Sequence, residues 1–187
     1  METIKGLKRT NYCGELRIED AGKEVTLFGW CQRQRDLGNL IFIDLRDRTG
    51  LVQLSFNDTT DREVFAKAQS VRAEYVVAAV GTVCERESKT NKIATGDIEI
   101  NVKEFRIISK AETPPFEIAK SEKVGDETTL KYRYLNLRNE KLTQNILMRH
   151  KIAKIAREYF YANDFIEIET PMMIKSTPEG ARDYVVP

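Results

Sequence analysis

Five short stretches of β-type sequence lie in the first 110 residues of this 187-residue chain, and their order constrains the fold more than any other feature. Turn residues separate them, and a helical pattern over 63–72 lies between the third and the fourth, because Val64, Ala68 and Val71 recur at spacings of four and three. The predicted strands are 25–31, 40–46, 51–56, 75–87 and 97–108.

This order is that of an all-β OB-fold barrel with five strands and one helix. Because side chains alternate across a strand, the second and third strands should turn six apolar residues inward. These are Ile41, Ile43, Leu45, Val52, Leu54 and Phe56. The outward face then carries Phe42 and Gln53 on neighbouring strands, with Arg33 and Arg35 nearby. A ring that stacks on bases, an amide and guanidinium groups predict a surface for single-stranded nucleic acid, although a phenylalanine on a strand is more often part of a core.

Charge, cysteines and hydropathy exclude several other classes of protein. The chain has 30 Lys and Arg against 29 Asp and Glu, so any nucleic acid must be held by a local basic surface. The 3 cysteines are far apart and form no CxxC pair, which predicts a cytoplasmic location rather than a disulfide framework or a zinc site. A single histidine argues against a His-rich metal site, and no apolar run approaches the ~20 residues of a membrane span.

The composition changes after Pro114 and Pro115, which favour extended chain and mark a boundary. We expect an OB-fold domain over 1–112, a polar linker or hinge over 113–129 and an incomplete second domain over 130–187. The elements predicted in that second domain are too few to bury both faces of its helix and strand. We therefore expect the chain to be the front part of a longer protein, unless the barrel or a partner covers them.

One long helix and one strand are predicted in the second domain. Apolar residues recur at helical spacing over 140–162, with Asn139 as the N-cap and Asn163 at a left-handed exit. Residues 165–171 alternate apolar and acidic side chains, which predicts a strand that Pro171 ends.

Four segments resemble class II aspartyl-tRNA synthetases and together cover nearly all of the chain. Residues 29–47 resemble the anticodon-binding barrel, and 131–138 resemble the opening of the catalytic domain in aspartyl- and lysyl-type enzymes. Residues 165–171 are similar to motif 1, a helix-strand-proline unit at the dimer interface. Residues 176–184, Ser-Thr-Pro-Glu-Gly-Ala-Arg-Asp-Tyr, are similar to the bacterial aspartyl enzyme's loop over the amino-acid pocket and are the most specific of the four.

The resemblance implies an aspartate–tRNA ligase that binds tRNA-Asp and L-aspartate. Arg35, Phe42 and Gln53 match the family's anticodon-reading residues, and Glu179 matches the carboxylate that meets the ammonium group of bound aspartate. Phe165 and Pro171 fall in motif 1, which implies a homodimer. The fold implied after the barrel is the opening helix and strand of a class II synthetase α+β catalytic domain.

The catalytic residues of the family are not expected in this chain. The resemblance implies that ATP and Mg²⁺ act in the full-length enzyme, through arginines of motifs 2 and 3, and neither string occurs between Pro171 and Pro187. We therefore expect a fragment that makes no aspartyl-adenylate by itself. A free-standing OB-fold module that binds tRNA, and a lysyl or asparaginyl relative, remain as alternatives. Whether tRNA-Asn is also charged stays open.

Overall fold

The computed structural model describes residues 2–172, and backbone contacts divide the chain into two units, Met1–Pro115 and Phe116–Pro187. The first unit is a closed barrel with the strand order β1-β2-β3-β5-β4. Its elements are β1 (Glu24–Asp36), β2 (Ile41–Arg46), β3 (Leu51–Phe56), α1 (Arg62–Ser70), β4 (Val76–Glu85) and β5 (Ile98–Ser109). Five strands with one helix in this position confirm the predicted OB-fold.

The barrel encloses a single apolar core. All six side chains predicted to point inward are fully buried, and they pack with apolar residues of β1, β4 and β5. Phe56 and Phe105 meet there edge to face, with ring centroids 5.1 Å apart. The neighbouring strands pair antiparallel except for β3 and β5, whose parallel pairing closes the barrel.

Asp47, in the turn between β2 and β3, connects the N-terminal segment to the barrel. Its carboxylate accepts hydrogen bonds from the backbone N–H of Cys13 at 2.7 Å and from the N–H and hydroxyl of Thr49 at 2.8 and 2.7 Å. Burial acts to raise the pKa of Asp47, but these hydrogen bonds outweigh burial and lower the pKa. The carboxylate therefore stabilises the fold above the unfolded-state pKa, and this contribution is lost as the pH falls through the folded-state pKa.

The second unit begins with a segment that the sequence assigned to a linker, and much of that segment is folded. Residues Ile118–Lys123 form a 3-10 helix, which is followed by the short helices α2 (Asp126–Lys131) and α3 (Arg133–Asn136). A small apolar cluster packs these turns together: Phe116, Ile118, Val124, Tyr132 and Leu135. Because its members are spread through polar sequence without one period, no helix was predicted here.

Helix α4 (Glu140–Ala162) occupies the predicted residues, and Asn139 is its N-cap. The side-chain oxygen of Asn139 accepts a hydrogen bond from the backbone N–H of Lys141 at 3.1 Å, which satisfies one of the free donors at the helix start. No side chain of α4 is fully buried, and Ile152 and Ile155 are exposed among its apolar residues.

The predicted left-handed exit of α4 at Asn163 is wrong by one residue. The φ angle is −110° at Asn163 and +62° at Asp164. The N–H of Asp164 donates to the carbonyl of Tyr161 at 3.2 Å, and that of Phe165 donates to the carbonyl of Phe160 at 3.1 Å, which together make a Schellman motif. The rings of Phe160 and Phe165 lie 5.6 Å apart, and this apolar contact accounts for the later turn.

Residues 165–171 do not form the predicted strand. Their backbone forms no strand pairing within residues 2–172, and a strand needs a neighbouring strand for its N–H and C=O groups. The apolar side chains of the segment are consequently exposed, Phe165 by 61% and Ile166 by 79%. Glu167 lies against α4, where its carboxylate accepts a hydrogen bond from Nε of Arg157 at 3.0 Å.

Candidate nucleic-acid interface

Strand β1 extends beyond its predicted end, and a bulge at Gln32 decides which way its last residues face. The register of β1 against β2 shifts between Cys31 and Arg33, so Gln32 is an extra residue. Simple alternation from the buried Cys31 would turn Arg33 and Arg35 into the core. The bulge instead sets Arg35 opposite Phe42, on the outer face of the barrel.

Four strands of the barrel contribute side chains to one outer row. Phe42 lies opposite Arg35, Asp44 lies opposite Gln53, and Gln53 lies opposite Glu99 in the strand registers. Directly opposite residues of paired strands share a face, so these five side chains are neighbours. We call this group (Arg35, Phe42, Asp44, Gln53 and Glu99) the platform.

Hydrogen bonds connect the polar members of the platform. Nη2 of Arg35 donates to Oδ1 of Asp44 at 3.1 Å and to Oε1 of Gln53 at 2.8 Å. Nε2 of Gln53 donates in turn to Oε2 of Glu99 at 2.8 Å. The guanidinium carbon of Arg35 lies 5.3 Å from the centroid of the Phe42 ring, within range of a cation–π interaction. Of the three sequence-predicted residues, Arg35 therefore contacts both Phe42 and Gln53.

Gln53 is less accessible than its outward position predicts. Only 3% of the residue is exposed, and both ends of its amide are already bonded, one to Arg35 and one to Glu99. A base can bond this amide only by displacing one of those partners. Nε of Arg35 is buried and has no hydrogen-bond partner among residues 2–172, so one donor of this group is unsatisfied in the absence of RNA.

Sequence reasoning did not single out Glu99. It lies in a strand where polar and apolar residues alternate, and no local signal distinguishes it from the other polar residues. Its contact with Gln53 depends on the parallel pairing of β3 and β5, which joins residues 46 positions apart. Asp44 was placed on the outer face by alternation, but its partner Arg35 could not be identified without the bulge.

A second polar contact lies further along β2. Arg46 makes a bidentate ion pair with Glu74, with Nη1···Oε1 and Nη2···Oε2 distances of 2.9 and 2.7 Å, and the two side chains are 13% and 6% exposed. The Arg46 guanidinium carbon lies 6.0 Å from the ring centroid of Trp30, its neighbour in the β1–β2 register. Glu74 has a left-handed φ of +65°, and its N–H donates to the carbonyl of Cys31 at 2.7 Å.

One of the other predicted site residues borders the platform, and the rest lie in the second unit or outside the described residues. Arg33 is exposed at a register position opposite Asp44. Phe165 and Pro171 are exposed in the second unit, and Glu179 lies outside the described residues. Within residues 2–172, no three His, Cys, Asp or Glu side chains are grouped as metal ligands. In the same range, no helix has the length and apolar character that a bilayer crossing requires.

Two protein families match separate parts of the chain. Residues 25–108 match a family described as OB-fold nucleic acid binding domain, and residues 125–187 match tRNA synthetases class II (D, K and N). The first match contains the whole platform, and the second contains all of α4 and Glu179.

Similar proteins are found both by sequence and by structure. The chain is 54% identical over its whole length to an aspartate–tRNA ligase of Ruminiclostridium cellulolyticum and to an aspartate–tRNA(Asp/Asn) ligase of Thermoanaerobacter pseudethanolicus. It spans about a third of the length of these curated relatives, 32% of each. Among solved structures, the aspartyl-tRNA synthetase of Entamoeba histolytica matches 94% of this chain with a TM-score of 0.83 and 26% identity, over 42% of its own length.

Proposed function

Because this chain belongs to the class II tRNA synthetases of the aspartyl, lysyl and asparaginyl group, we propose that it is the anticodon-reading part of an aspartate–tRNA ligase. The whole enzyme would attach L-aspartate to tRNA-Asp through aspartyl-adenylate, using ATP and Mg²⁺. The OB-fold unit would hold the anticodon during that reaction. Identity of 54% to aspartate–tRNA ligases over the full chain supports the choice of amino acid.

The platform is the observation that carries the proposal. The ring of Phe42 offers a stacking surface, Arg35 offers donors only, Glu99 offers acceptors only, and Gln53 offers both. Unpaired bases differ in the donors and acceptors along their edges, so three groups of different kinds can discriminate among them. A wrong base would leave one of these polar groups unpaired once the bound RNA buries it, which costs about 1–3 kcal/mol.

Anticodon dependence tests this proposal directly. We expect the chain to bind the anticodon stem-loop of tRNA-Asp about 5- to 150-fold more tightly than the same stem-loop with its anticodon changed, which corresponds to one unpaired buried group. Affinities are measured by fluorescence anisotropy at one fixed salt concentration. A third RNA, with the anticodon kept and the stem base pairs exchanged, is the control and should bind like the first. Equal affinity for the first two RNAs would contradict the anticodon assignment.

We propose that Glu179 recognises the ammonium group of L-aspartate in the full-length enzyme. The motif around it, and the family match that contains it, support this role. A carboxylate makes a charge-assisted hydrogen bond to an ammonium group, and these are about twice as strong as neutral ones. The substitution Glu179→Gln in the full-length enzyme should therefore raise the KM for aspartate while tRNA affinity stays unchanged. An unchanged KM would remove Glu179 from the aspartate site.

The second unit supports a homodimer and argues against a module that only binds RNA. A free-standing OB-fold needs no synthetase segment, whereas residues 125–187 match one. Exposed apolar side chains on α4 and at Phe165 and Ile166 suit an interface between two copies, with the motif 1 residue Pro171 packing at its two-fold axis. The three cysteines are unpaired thiols, which agrees with the reducing cytoplasm where tRNA is charged.

A further inference from the structure

A cluster of basic and aromatic residues lies at the end of the barrel's outer face that is away from the platform. The anticodon assignment does not involve this cluster. It consists of Arg9, Tyr12, Phe28 and Arg48, which we call the N-terminal patch. The guanidinium carbons of Arg9 and Arg48 lie 4.6 and 4.5 Å from the centroid of the Tyr12 ring. Arg9 also lies 5.6 Å from the centroid of Phe28. Both arginines therefore contact one aromatic ring, and their positive charges lie close together.

The N-terminal patch is held to the barrel by backbone contacts. Residues 9–12 run beside β1, where the N–H of Thr10 donates to the carbonyl of Thr26 at 3.1 Å and the N–H of Thr26 donates to the Thr10 hydroxyl at 2.9 Å. Phe28 lies between the buried Leu27 and Gly29, so alternation turns it to the outer face of β1. The patch is therefore a fixed part of the barrel surface.

Arg9 and Arg48 give the patch two positive charges, and two acids lie beside it. The exposed Glu15 accepts a hydrogen bond from the backbone N–H of Tyr12 at 3.2 Å. Asp47 has a side chain that is 4% exposed and already accepts hydrogen bonds from Cys13 and Thr49. Arg9 reaches that carboxylate only at 3.4 Å, and Arg48 is exposed and has no acidic partner among residues 2–172. The exposed guanidinium of Arg48 therefore keeps its positive charge without an ion pair among these residues, which favours an anion at this point of the surface.

The outer face continues without interruption from the platform to the patch. Along β2 the outward residues are Phe42, Asp44 and Arg46, and Arg48 follows in the turn. At ~3.3 Å per residue, Arg46 is about 13 Å from Phe42, and Arg48 follows Arg46 in the turn. A nucleotide stacked on Phe42 therefore leaves Arg48 free to bind a different nucleotide. Trp30 lies beside Arg46 and adds an aromatic ring to the face between them.

From these contacts we infer that the N-terminal patch binds backbone phosphates of the RNA that flanks the anticodon, with Arg48 as the principal contact. This inference rests on the proposed function, because it needs an RNA whose loop occupies the platform. Guanidinium groups bind phosphate through paired hydrogen bonds, and such contacts set the position of the RNA without reading its sequence. The ring of Tyr12 contacts the guanidinium group of Arg48, and Arg48 remains exposed so that it can bind a phosphate.

The test compares Arg48→Gln with the unchanged chain, using the stem-loop of tRNA-Asp and its anticodon-changed version. We expect Arg48→Gln to weaken binding of both RNAs about 3- to 10-fold and to reduce the slope of log affinity against log salt by ~0.7–0.9, the loss of one phosphate contact. Arg48→Lys should keep most of the affinity, because an ammonium group also binds phosphate. Arg62→Gln, which removes the same charge from exposed α1, is the matched control and should change neither quantity.

The possible outcomes separate this inference from the proposed function. If Arg48→Gln binds both RNAs like the unchanged chain and the salt slope is the same, the patch does not bind phosphate, even when the anticodon preference is present. If both RNAs bind equally but Arg48→Gln weakens them, the phosphate contact stands and the anticodon assignment fails. If the unchanged chain binds neither RNA, both are overturned. A thermal midpoint for Arg48→Gln within 2 °C of the unchanged chain, as expected for an exposed side chain, assigns the loss to binding.

Discussion

Replacing Phe42 by alanine should weaken binding of the tRNA-Asp stem-loop about 5- to 150-fold, because one base stacked on an aromatic ring contributes ~1–3 kcal/mol. The ring is partly exposed on the outer face, so a base can reach it, and it also supports Arg35 through the cation–π contact. The loss should be larger for the cognate loop than for the anticodon-changed loop, since Arg35 bonds the polar groups that we propose read the bases. Anisotropy titrations of the two RNAs measure both effects.

Two substitutions at the same position distinguish stacking from folding. Phe42→Tyr keeps a ring and should keep most of the affinity, whereas Phe42→Leu keeps an apolar side chain on the strand and should lose affinity as alanine does. All three variants should unfold within about 1 kcal/mol of the unchanged chain, because Phe42 is outside the core. Retention of full affinity by Phe42→Ala would mean that no base stacks there and that the platform acts only through its polar groups.

Replacing Arg46 by methionine should lower the free energy of unfolding of the barrel by about 3–5 kcal/mol, the largest effect on stability that we expect. Methionine keeps apolar contact with Trp30 but leaves the carboxylate of Glu74, which is 6% exposed, without its bidentate partner. Glu74 also has a left-handed φ of +65°, so its backbone conformation depends on its surroundings. Urea denaturation followed by fluorescence of Trp30, the single tryptophan, measures the change.

The double variant Arg46→Met/Glu74→Gln is the control for this stability prediction. It removes the charge of Glu74 together with that of Arg46, so it should lose less stability than Arg46→Met alone. A loss below about 1 kcal/mol for Arg46→Met would show that the pair behaves like an exposed ion pair, whose contribution is in that range. RNA binding by the double variant at a temperature where it remains folded should keep its preference for the cognate anticodon, because neither residue belongs to the platform.

Several features of the barrel could be predicted from sequence because they depend on local periodicity. The alternation in β2 and β3 identified the six apolar side chains that enter the core, and Phe42 lies on the outer face as predicted. Helix α4 was predicted with its bounds, since a long stretch of 3.6-residue period and a capping asparagine are both local signals. The resemblance in 165–171 indicated motif 1, but the strand predicted there was wrong, because it has no partner among residues 2–172.

Features that join distant residues could not be predicted in this way. The segment assigned to a linker is folded around Phe116, Ile118 and Leu135, whose contacts follow no single period. The burial of Gln53 was missed because its two amide bonds come from β1 and β5, which flank β3 only in the closed barrel. The left-handed residue after α4 is Asp164 and not the predicted Asn163, because an apolar contact between Phe160 and Phe165 determines where the turn closes.

The sequence by itself determined which side chains of β2 and β3 face the core, because alternation of apolar and polar residues is a property of each strand alone. The tertiary structure alone decided what the outward side chains meet. The bulge at Gln32 turns Arg35 away from the core and onto Phe42, and the parallel pairing of β3 with β5 brings Glu99 to Gln53. Both depend on hydrogen bonds between strands far apart in the chain, which no local pattern records.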